Sequence, residues 1–93
     1  MTTTKIQKKE ERMGELFSSY VDKIPGLSVY TKVRKSSSND YYVQAKFKKE
    51  GYETVTYKIG EDVLSSLPVE DAVKRVTNLI DEHFGESNGD KNN

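Results

Sequence analysis

From Tyr41 to Ile59 apolar and polar residues alternate, with one interruption at Lys49-Glu50-Gly51. A period of two is the mark of a half-buried strand, and a glycine between two such runs supplies the positive φ that a hairpin turn needs. The stretch therefore predicts two strands, Tyr41–Lys48 and Tyr52–Ile59, around a tight turn. Their side chains sort into two unlike faces. Tyr41, Val43, Ala45 and Phe47 join Val55, Tyr57 and Ile59 on a side suited to a core. Tyr42, Gln44, Lys46 and Lys48 join Tyr52, Thr54, Thr56 and Lys58 on a side without a single acid.

The rest of the chain supplies cover for one side of this hairpin. Leu27–Arg34 reads as a third strand with the same division, Leu27, Val29, Thr31 and Val33 against Ser28, Tyr30, Lys32 and Arg34. Before it, Lys5–Ile24 has helical spacing: Met13, Leu16, Phe17, Tyr20, Val21 and Ile24 recur at intervals of three and four, and Ile6 extends the stripe. Gly14 weakens the middle of that helix by up to about 1 kcal/mol relative to alanine. Pro25-Gly26 ends it, because the residue before a proline is forced out of the helical region. Residues 35–40 are a polar loop, and residues 60–67 a connector with room for one helical turn carrying Val63, Leu64 and Leu67. Pro68 suits a helix start, with Glu70 and Asp71 in the first turn against the positive end of the dipole. Val69, Ala72, Val73, Val76, Leu79, Ile80 and Phe84 then form one apolar stripe, which Gly85 is placed to terminate.

The predicted fold is α+β: helix, three-stranded antiparallel sheet, helix (αβββα), in two layers with both helices on one face of the sheet. A single domain spans residues 5–85, between a flexible N-terminus at 1–4 and a disordered polar tail at 86–93. Ninety-three residues leave room for one core. The chain has no cysteine, which removes disulfides and thiolate metal sites. With no signal-like apolar run at the start and no stretch near the roughly 20 apolar residues of a membrane span, a cytoplasmic protein is expected.

Sites for chemistry are scarce. The single imidazole, His83, follows Asp81 and Glu82 on the last helix, where consecutive side chains diverge, so no metal is expected. Ser36–Ser38 and Ser65-Ser66 lack a base with an orienting partner. The carboxylate pairs Glu10-Glu11, Glu61-Asp62 and Glu70-Asp71 are sequence neighbours, which favours solvated surface, and no glycine-rich phosphate loop is present. Neither an enzyme nor a cofactor is expected.

What the pattern does offer is a surface. If both helices cover the apolar side of the sheet, the other side is open and carries Tyr30, Lys32, Arg34, Tyr42, Gln44, Lys46, Lys48, Tyr52, Thr54, Thr56 and Lys58. Cations to neutralise phosphates, rings to stack and amides or hydroxyls for base edges are what a nucleic acid requires. Net charge is zero overall but unevenly spread: +1 over residues 1–26, +4 over 27–59 and −5 over 60–93. The expected function is a small non-catalytic module that binds nucleic acid, DNA foremost, through this face. The alternative is an inhibitor or adaptor of a host protein, such as a nuclease, acting through the same face or the acidic last helix. Short, charge-rich, cysteine-free chains of this style occur among phage and mobile-element accessory proteins.

Two resemblances are of element order. Residues 5–84 are similar in order to double-stranded-RNA-binding domains, although that family's Lys-Lys-x-Ala-Lys start to the second helix is replaced here by Pro68-Val69-Glu70-Asp71-Ala72. Residues 27–84 resemble, in order, the three-strands-plus-helix arm-binding domains of tyrosine integrases, a likeness that implies a sheet presented to a DNA groove.

Overall fold

A computed structural model describes residues 2–84. The elements run α1 (Thr3–Val21), β1 (Leu27–Lys35), β2 (Tyr41–Lys49), β3 (Val55–Gly60), α2 (Glu61–Ser66) and α3 (Val69–Phe84). The strands form one antiparallel sheet in the order β1-β2-β3, so two edges are open and β2 is central. This is the α+β arrangement expected, with the connector resolved into a short helix of its own. Gly85 and the polar tail at 86–93 lie outside the described residues.

Helix α1 begins two residues earlier than its apolar stripe suggests, because Thr2 caps it: the Thr2 hydroxyl accepts a hydrogen bond from the Lys5 N–H at 3.2 Å. It ends at Val21, and residues 22–26 turn through Lys23 N–H to Tyr20 O and Ile24 N–H to Val21 O. Gly26, at φ +82°, then redirects the chain into β1. Ile24 leaves the helix yet still packs on the core.

The core lies between the helices and one side of the sheet. Phe17 of α1 meets Phe47 of β2 edge-to-face with ring centroids 5.3 Å apart, and Tyr57 of β3 approaches Phe47 from the other side at 6.1 Å. Val43, Ala45 and Phe47 on the central strand are wholly buried, together with Ile6, Met13 and Phe17 of α1 and Ile80 and Phe84 of α3. Leu64 anchors α2 beneath the sheet. Gly14 faces β1: a Cβ there would lie 3.3 Å from Thr31 Oγ1, so its lack of a side chain lets helix and strand approach. The Thr31 hydroxyl hydrogen-bonds the Glu10 carboxylate one turn earlier on α1. Tyr20 ties α1 to α3 by donating to the Thr77 carbonyl at 3.2 Å and to Asp81.

Two expectations are corrected. Leu79 belongs to the margin of α3, not to its buried stripe, and is 44% exposed. The last strand begins at Val55, not at Tyr52. Gly51 does adopt a positive φ, +88°, but the Tyr52 N–H turns back to the Lys49 carbonyl at 3.0 Å, and the chain needs three more residues to rejoin the sheet opposite Phe47. No helix of the described residues is long and apolar enough to cross a membrane.

Candidate nucleic-acid interface

The pairing registers place the polar side chains in rows across the sheet. Arg34 stands opposite Tyr42, and Tyr42 opposite Gly60; Lys32 opposite Gln44, and Gln44 opposite Lys58. Tyr30 faces Lys46, which faces Thr56, and Ser28 faces Lys48. Partners across a strand pair share a face, so these residues lie together on the side away from the core. Every buried residue of the sheet, Leu27, Val43, Ala45, Phe47 and Ile59, is of the opposite parity, and among the described residues no helix packs on the polar side.

Nine of the eleven residues expected on this surface lie on it, Thr54 lies at its border, and Tyr52 lies off it. Its ring packs edge-on against Phe84 of α3, centroids 5.4 Å apart, with the Lys49 ammonium 4.9 Å from its centre. That places it beyond the end of the sheet beside the core. Thr54 precedes β3 and borders a shallow hollow with Ser28 and Lys48 at the same end. The face proper is Tyr30, Lys32, Arg34, Tyr42, Gln44, Lys46, Lys48, Thr56 and Lys58.

The three expected aromatics are therefore unequal. Tyr30 is 55% exposed and free to lie against a ligand. Tyr42 is half-buried, with the Lys58 ammonium 5.4 Å from its ring centroid, so a cation already occupies part of its surroundings. Tyr52 is nearly as exposed, at 49%, but its edge contact with Phe84 holds it off the face. A platform of successive stacked bases, which single-strand binders use, needs more than one free ring.

Charge along the face is graded in a way the strand pattern did not show. Where β2 begins and β3 ends, an open cleft of about 640 Å³ is lined by Asp40, Glu61 and Asp62 together with Tyr42, Lys58 and Ser36. Glu61 is fixed by accepting the Tyr41 N–H at 2.7 Å. That hydrogen bond, first among several influences, holds its carboxyl below the usual carboxylate range. Three carboxylates at this corner oppose anions; the Lys46–Lys48 end has Glu50 beside Lys48 and Lys49. Positive charge on the face is therefore concentrated over its middle and its Lys48 end.

These carboxylates were legible in principle. Asp40 immediately precedes β2, and Glu61-Asp62 immediately follow β3. Antiparallel neighbours necessarily bring the start of one strand to the end of the next. Among the described residues no group of three or more His, Cys, Asp or Glu is arranged to hold a metal ion. Comparison of the chain with protein-family models, with curated proteins and with solved structures finds no match, so its surface chemistry stands as its own guide.

Proposed function

We propose that this chain is a non-catalytic binding module that contacts DNA through the open face of its sheet. The observation that carries this reading is the row structure: Lys32, Arg34, Lys46, Lys48 and Lys58 share one uncovered surface with no acid among its strand residues. Adjacent strands are about 4.8 Å apart, so Lys32 and Lys58 flank Gln44 with their backbones about 10 Å from each other. Long lysine side chains at that separation can reach phosphates on either side, and the central amide can meet a base edge. With one exposed tyrosine on the face itself and several cations, the surface suits a duplex backbone better than stacked single-stranded bases.

Titration of labelled duplex DNA by fluorescence anisotropy over a range of salt tests the reading. Five phosphate contacts give a slope of log affinity on log salt near about −4.5. The Lys46→Glu/Lys48→Glu variant, which places two acids on the central strand of the face, should bind at least tenfold more weakly, and Tyr52→Ala should bind like the parent. DNA binding unchanged by the double substitution sinks the proposal.

A further inference from the structure

The outer edge of β1 is built unlike the rest of the sheet. β1 is a nine-residue strand at the sheet margin, without proline, and among the described residues no backbone hydrogen bond links its outer side to another element. A strand of that length with free N–H and C=O groups is a template for another strand. The opposite edge differs: β3 has six residues and runs directly into α2, which packs against it. On the helix side of β1, Val29 and Val33 stay half-exposed, whereas Val43, Ala45 and Phe47 on β2 are wholly buried. An open groove of about 470 Å³ runs beside them, lined by Gln7, Glu10 and Glu11 of α1 and by Thr31, Lys32 and Val33 of β1.

We propose that this edge is the docking strand for an extended segment of a partner protein, added to the sheet beside β1. Charge decides which segment fits. A strand laid along β1 presents alternate side chains to the two faces. Those on the open face come beside Lys32 and Arg34 and are favoured when acidic; those on the helix side come beside Glu10, Glu11 and the half-buried valines and are favoured when basic or apolar. The fitting partner segment therefore alternates acid with base or aliphatic residue. A second copy of this chain does not meet the requirement. Pairing β1 with β1 brings serine, tyrosine, lysine and arginine to both sides of the seam on the open face and supplies no acid to it. The same cations that keep the edge from pairing with itself select an acidic strand. The inference shares Lys32 and Arg34 with the DNA reading but does not depend on it, since the unpaired edge of β1 and the groove along α1 are not part of that face.

The test uses a peptide of about nine residues that alternates glutamate with valine and lysine, the length of a strand able to span this edge. Amide exchange and chemical shifts of the full chain are followed by NMR during titration. Binding should slow exchange of outward-facing amides within residues 27–35 by at least tenfold. Peptides N-methylated on alternate amides, made in both frames, should lose binding in one frame. Lys32→Glu/Arg34→Glu, exposed substitutions, should weaken the peptide by about tenfold or more while leaving the spectrum of the core unchanged. The proposal is overturned if millimolar peptide leaves β1 amides unprotected, or if both methylated peptides bind like the parent. It is also overturned if the free chain sediments as a dimer with β1 already protected, which would assign the edge to a second copy.

Discussion

The two faces of the sheet are made by the same three strands, yet one is closed and the other open. On the closed face Val43, Ala45 and Phe47 are sealed beneath α1 and α3, and the contacts are specific in shape: an edge-to-face ring pair, and a glycine admitting a threonine hydroxyl. On the open face the neighbours are lysines, an arginine, tyrosines and a glutamine, whose long chains touch water and each other loosely. The difference teaches where free energy resides in a chain this small. Stability depends on the closed side, and the open side is free to serve contact with a partner.

The largest effect should follow from Phe47→Ala. Phe47 is wholly buried and holds ring contacts to Phe17 and Tyr57, so truncation removes transfer free energy and leaves a cavity. A loss of about 3–5 kcal/mol in urea unfolding is expected, enough to unfold much of a domain of this size at 25 °C. A loss below about 1 kcal/mol would mean that the helices do not seal this face.

Gly14→Leu should rank next. The helix gains propensity, about 1 kcal/mol relative to glycine, but the new side chain must displace Thr31 and disturb its bond to Glu10. Overpacking of this kind costs about 1–3 kcal/mol and should win. The expected outcome is a lower urea midpoint with an unchanged slope. A rise in stability would show that α1 stands farther from β1 than the contact implies.

Much of this contrast is readable from sequence, and the failures have physical causes. Period-two alternation survives as fact from Tyr41 to Phe47 and from Val55 to Ile59 because burying one face fixes register: a one-residue slip would bury lysines. Gly51 marks the position of the turn but not its length. That was decided by the Tyr52 ring finding Phe84, a contact across 32 positions that no local pattern reports. Leu79 has the spacing of the stripe but sits at its margin, and stripe width depends on what packs opposite. Glu61 looked like one of a solvated pair, yet its partner is the Tyr41 amide. The uncovered face itself was legible by elimination, since two amphipathic helices can cover only one side of a three-stranded sheet.

The Glu61 bond makes a prediction at the junction of the faces. Its folded pKa lies below the ordinary value of 4.5, so the charged form is favoured in the folded chain. The stabilisation is present above that ordinary value and is lost as pH falls through the lower folded one. Glu61→Gln, which keeps an acceptor for the Tyr41 N–H but cannot titrate, should flatten that part of the stability–pH curve. Coincident curves for the two proteins between pH 5 and the acid limit would show that the carboxylate is not held.

The smallest effect on stability is expected where the largest effect on binding is proposed. Lys46→Glu/Lys48→Glu alters two side chains on the uncovered face, neither of which pairs with a carboxylate among the described residues or leaves a buried polar atom to orphan. Surface changes of this kind move stability by about 0.5 kcal/mol or less each, and here they also relieve crowding among five cations. The double variant should therefore unfold within about 1 kcal/mol of the parent while DNA affinity falls at least tenfold. The dissociation is what matters. If stability and affinity fall together, the lysines belong to the fold, and the uncovered face is a structural surface and not a contact surface.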